Sequence, residues 1–156
     1  MLRLDSFIAK RPLLVNEAEC GDIGVLKEFS NKVFIGIVDV AGHGRAAHQV
    51  AVTCEKFLEK NYKKDLVQLM KEFHEEIRGS RGAVACLAHL NLETGELRYV
   101  GIGNVMIRKF GTSSVKAIPR SGIVGYSMPS PREEVMQLND GDVLVVHTDG
   151  VVSHFE

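Results

Sequence analysis

Val33-Phe34-Ile35-Gly36-Ile37-Val38-Asp39-Val40-Ala41-Gly42-His43-Gly44 is an apolar strand that ends on an aspartate and runs into a glycine-rich turn. Side chains alternate along a strand, so Val33, Ile35 and Ile37 share one face and Phe34, Val38 and Val40 the other. A strand that is apolar on both faces belongs in the middle of a layered structure. Asp39 falls in phase with Val33, Ile35 and Ile37. A carboxylate at the end of a buried face costs free energy unless something compensates it.

On the N-terminal side, residues 23–29 read as a partner strand, joined to 33–40 by the turn Ser30-Asn31-Lys32. On the C-terminal side the period changes. Ala47, Val50, Ala51, Cys54, Phe57 and Leu58 recur at helical spacing, which predicts an amphipathic helix over roughly 45–60. A second helix follows, with Asp65 as N-cap, Leu66, Leu69, Met70, Phe73 and Ile77 as its stripe, and Gly79 at its end. Strand patterns then resume over 83–91, 97–102, 105–110, 115–118, 134–138 and 142–148. Residues 119–131, with Pro119, Gly122, Gly125, Pro129 and Pro131, are the most loop-like stretch. Strands in runs rather than alternation with helices predict an α+β fold with antiparallel sheets and helices packed outside. No linker divides the chain.

A length of 156 residues with 45% apolar residues suffices for one domain with a real core. A net charge of −1 lacks the electrostatic footprint of nucleic-acid binding. The three cysteines, Cys20, Cys54 and Cys86, form no CxxC, so neither a zinc knuckle nor a redox dithiol is signalled. Cys54 and Cys86 sit in apolar patterns and read as small core residues. With no signal-peptide core and no apolar run near ~18 residues, the expected compartment is the cytoplasm. Nothing suggests an obligate dimer, so a monomer is expected.

Two further aspartates stand where an apolar strand ends or begins, Asp149 with the design of Asp39 and Asp22 bracketed by Gly21 and Gly24. Asp22 lies in Cys20-Gly21-Asp22, and Asp149 in His147-Thr148-Asp149-Gly150 follows the apolar strand 142–148. Carboxylates at strand ends beside glycine turns can converge, and a cluster of hard oxygen donors suits Mg²⁺ or Mn²⁺. Metal-assisted phosphoester hydrolysis is the chemistry this points to. An Asp-Gly pair taken singly is as often a plain turn. That reading fits Asn139-Asp140-Gly141, between two strands, and fits Asp39 and Asp149 poorly. No P-loop, GxGxxG, HExxH or GxSxG pattern competes. Cys20 has no Cys-x5-Arg loop behind it, and His43 between two glycines reads as a solvated loop residue.

Taken in order, Cys20-Gly21-Asp22, Asp39 to Gly44, Arg81-Gly82-Ala83, Gly103-Asn104 and His147 to Gly150 resemble bacterial metal-dependent protein phosphatases of type 2C (the PPM family). The likeness is to the small feedback phosphatases of the stressosome and covers nearly the whole chain. It implies a β-sandwich of two antiparallel sheets flanked by α-helices. It further implies a two-metal site for Mn²⁺ or Mg²⁺, with Asp22, Asp39 and Asp149 as catalytic carboxylate ligands and the Val40 carbonyl completing one shell. Two metals activate a water that attacks phosphoserine or phosphothreonine in line. The implied partners are phosphorylated STAS-domain scaffold and antagonist proteins.

In this family a further aspartate lies in a last strand beyond a C-terminal helix. Residues 1–156 are therefore expected to be a single phosphatase domain lacking that helix and strand. A non-catalytic phosphoprotein-binding module of the same fold is the alternative, and a small-molecule phosphoesterase a third. Arg11 is a candidate phosphate ligand by position. No general-acid role is carried over to His43.

Overall fold

Ten regular elements follow one another in a computed structural model that describes residues 1–10, 20–117 and 119–149. Arg11, Gly150 and the residues beyond it lie outside that description, as does Ile118 at the end of one expected strand. Strands β1 (Asp22–Phe29) and β2 (Lys32–Val40) form a hairpin, followed by helices α1 (Gly44–Asn61) and α2 (Leu66–Glu76). Then come β3 (Ala83–Asn91), β4 (Glu96–Ile102), β5 (Met106–Phe110), β6 (Val115–Ala117), β7 (Glu134–Gln137) and β8 (Val143–His147). The sheets are antiparallel: one of five strands in the order β1-β2-β3-β4-β7, the other of three in the order β6-β5-β8. This is the expected α+β sandwich.

Strand β2 lies inside the larger sheet and is covered on both sides, as its composition requires. Phe34, Val38 and Val40 join the core between the sheet and the helices, with Ala47, Ala51, Cys54 and Leu58 of α1 and Leu69, Met70 and Phe73 of α2. Val33, flanked by half-buried Ile35 and Ile37, belongs to the second core, between the sheets, with Leu97, Val105 and Ile107. Both described helices lie on the larger sheet, α1 over β1 and β2 and α2 over β3 and β4. Helix α2 starts as the sequence predicts: the Asp65 carboxylate accepts the Gln68 N–H at 3.1 Å. Cys54 and Cys86 are fully buried, and burial pushes both thiols up to about 12, so they are inert packing groups.

The turn Asn139-Asp140-Gly141 does not close a hairpin. Strand β7 pairs with β4 in the large sheet and β8 with β5 in the small one, so this turn carries the chain across the sandwich. Its organiser is the next residue. The Asp142 carboxylate accepts the N–H groups of Asn139 (2.9 Å) and Thr112 (2.8 Å) and faces the buried Lys109 ammonium at 3.9 Å. Lys109 donates in turn to the Gln137 carbonyl at 3.0 Å, which ties the small sheet to the corner.

Candidate active site: a carboxylate cluster at one end of the sandwich

Register brings the first two aspartates together. In the β1–β2 hairpin Asp22 sits directly opposite Asp39, and the ladder closes with the Val40 N–H donating to the Gly21 carbonyl at 3.1 Å. Directly opposed residues of an antiparallel pair hold their side chains roughly 5 Å apart on one face. Gly21 leaves room for helix α1 to start nearby, since a Cβ there would touch Ala47 at 3.3 Å. Asp149 arrives from the other sheet, two residues past the end of β8. Its carboxylate is reached by the Asn104 amide at 3.5 Å, while the Thr148 hydroxyl reaches Asp22 at 3.4 Å.

Asp39 lies between the other two. Burial pushes its carboxyl up to about 8, helped by the charge of Asp22 and by hydrogen bonding with both Asp22 and Asp149. Metal-free, the cluster holds its like charges together by keeping a proton. Among the described residues no three His, Cys, Asp or Glu side chains already surround one ion-sized point. The arrangement is an acidic neighbourhood with hard oxygen donors rather than a closed cage. Such donors fit Mg²⁺ or Mn²⁺. Beside them opens a cleft of about 310 Å³ lined by Asp39, Val40, Ala41, Gly42, Ala83, Val84, Asn104, Ile123 and Asp149.

A family model described as Stage II sporulation protein E (SpoIIE) matches residues 30–155. The chain belongs to the SpoIIE family. That places it among the bacterial metal-dependent phosphatases of the PPM type, as its motifs imply. A structure from work on the bacterial stressosome, described as a modular system adapted to control secondary messenger signalling, is 27% identical with a TM-score of 0.80. The match covers 86% of this chain and 71% of that one. RsbX in complex with magnesium is 22% identical with a TM-score of 0.76, over 84% of this chain and 67% of that one. The PP2C phosphatase domain of SpoIIE from Bacillus subtilis, with a fragment of its regulatory domain, is 20% identical with a TM-score of 0.68, over 83% and 41%. The chain thus spans about two thirds of the first two structures and less than half of the third.

Several residues at the cleft of this SpoIIE-family chain received no role from the sequence. Asn104 entered only within the Gly103-Asn104 motif, with no role of its own. Its turn is fixed by Gly103, whose N–H donates to the Arg120 carbonyl at 2.7 Å and whose φ of +92° suits glycine. Ile123 comes from the proline- and glycine-rich loop, which is clamped to β3 where Ala83 and Val124 exchange hydrogen bonds of 3.0 and 2.8 Å. No local pattern gives either one a place at the cleft, because each reaches the site by long-range pairing. His43 is exposed at the N-terminus of α1 and caps no backbone group with its side chain. His147 is half-buried, with Nδ1 2.9 Å from the Thr148 carbonyl, in keeping with a packed strand histidine.

Proposed function

We propose that this chain is the catalytic domain of a serine/threonine protein phosphatase. In this reading Asp22, Asp39, Asp149 and the carbonyl of Val40 hold two Mn²⁺ or Mg²⁺ ions. The observation that carries it is the seating of Asp39 between Asp22 and Asp149 at a cleft, in a chain of the SpoIIE family. Divalent ions held there would supply an acidified water as nucleophile and would offset charge on the phosphoryl oxygens and the departing alkoxide. The protein's own residues do the rest. The three carboxylates would hold the cations, Asp39 releasing the proton that its raised pKa retains at neutral pH. The Asn104 amide and the Thr148 hydroxyl hold Asp149 and Asp22 in orientation, the outer support that such ligands need. The cleft admits a phosphorylated side chain beside the cluster.

The substrates we propose are phosphorylated STAS-domain scaffold or antagonist proteins, a reading supported by the stressosome and Rsb proteins among the structural relatives. No described helix is long and apolar enough to cross a membrane, and the three free thiols, all buried, suit a reducing cytoplasm. We further propose that residues 1–156 belong to a single phosphatase domain that acts as a monomer.

The test is Mn²⁺-dependent release of phosphate from a phospho-STAS protein. Asp39→Asn and Asp149→Asn should each lower turnover by at least about 100-fold while the far-ultraviolet spectrum is retained. Unchanged turnover rejects the ligand assignment. Calorimetry with Mn²⁺ separates the enzyme from a binding module of the same fold: phosphoprotein binding without metal uptake would make it the latter.

A further inference from the structure

The acidic cluster poses an electrostatic problem that its own residues do not solve. A phosphomonoester approaches as a dianion, and the polar side chains lining the cleft are two carboxylates and one amide. Arg81 stands at the rim. Its guanidinium rests on Gly42, a lining residue, so closely that a Cβ on Gly42 would collide with Nη1. Gly42 has φ +86°, a conformation that suits glycine and leaves this contact open.

The backbone around Arg81 is held on both sides of the cleft. The Ala41 N–H donates to the Gly82 carbonyl at 2.9 Å, and Gly82 leads straight into Ala83, another lining residue. Yet the Arg81 side chain is exposed, and among the described residues it has neither an ion pair nor a hydrogen bond. Arg78, three residues earlier, is by contrast paired with Glu75 at 2.6 Å. An arginine placed against the turn that follows the central carboxylate, with its donors unspent, has the fork geometry that grips phosphate oxygens in pairs.

We propose that Arg81 is the phosphoryl-binding residue, donating two N–H groups to non-bridging oxygens of the substrate phosphate across the Ala41–Gly42 turn. The assignment rests on the phosphatase reading above. From the rim, the Arg81 guanidinium offsets part of the negative field of the carboxylates and orients the phosphorus toward them.

The experiment uses the full chain with saturating Mn²⁺ and inorganic phosphate as the probe, followed by calorimetry. Arg81→Ala should weaken phosphate binding about 10- to 100-fold, the usual loss for a charge-assisted pair of hydrogen bonds, and Arg81→Lys by less. In both variants Mn²⁺ affinity and the unfolding midpoint without phosphate should stay at the wild-type values. Turnover of p-nitrophenyl phosphate and of a phosphoprotein should fall together in kcat/KM, because both carry the same phosphoryl group. Unchanged phosphate affinity in Arg81→Ala overturns the assignment and leaves the phosphatase reading standing. Loss of Mn²⁺ affinity in parallel also overturns it, since Arg81 would then merely brace the turn. A wild-type protein that takes up neither Mn²⁺ nor phosphate overturns both readings.

Discussion

Gly42 faces a steric demand from two directions, its own φ of +86° and the guanidinium packed against its α-carbon. Gly42→Ala should therefore cost about 1–2 kcal/mol from the left-handed backbone alone, read as a lower midpoint in chemical denaturation. It should also push Arg81 aside and raise KM for phosphoproteins. In an Arg81→Ala background the same change should add little to KM, because the group it displaces is already gone. Additive effects on KM would mean that Gly42 and Arg81 act separately. The aspartates are the opposite case. Each stood out as a residue, because a carboxylate at the end or start of an apolar strand fits a plain turn poorly once three of them recur. Their partners Asn104 and Thr148 did not, because an amide in a turn and a hydroxyl beside an aspartate occur everywhere.

At the scale of elements, the β2–β3 pairing supplies a pH-sensitive joint. His89 on β3 donates from Nε2 to the Tyr62 carbonyl just past α1 at 2.7 Å, and its ring meets Phe29 and Phe34 edge-on. Burial holds its pKa below the ordinary value of 6.5, against the smaller opposing pull of the Tyr62 carbonyl. The folded chain thus binds fewer protons here than the unfolded one. The contribution is complete above pH 6.5 and is lost as pH falls from there through the depressed value. Thermal unfolding of wild type should weaken between pH 7.5 and pH 5 more steeply than that of His89→Gln, which keeps a donor but does not titrate. Parallel curves would remove His89 from the account. The helices and most strands were readable from periodicity, with α2 set by its Asp65 cap. Strand partners were less so: the Asn139-Asp140-Gly141 turn looks like any hairpin until β7 and β8 are seen in different sheets.

For the whole molecule, the corner at Asp142 decides whether the two sheets stay in register. Asp142→Ala would strand two backbone N–H groups and leave the buried Lys109 ammonium without its carboxylate. We expect an unfolding midpoint lower by several degrees. Metal affinity should fall as well, because Asp149 is carried by β8 immediately beyond this corner. A stable variant with unchanged Mn²⁺ binding would show that the corner is dispensable. By itself the sequence determined the fold class and the central placement of β2 and marked the three carboxylates as candidates, because apolar alternation and aspartates at strand ends are local signals. Only the tertiary structure decided that Asp149, Asn104 and Ile123 line one cleft with Asp39, and that Arg81 packs against Gly42 at its rim. Such meetings depend on register between strands far apart in the chain, and each is selected by how the whole core packs rather than by any short run of residues.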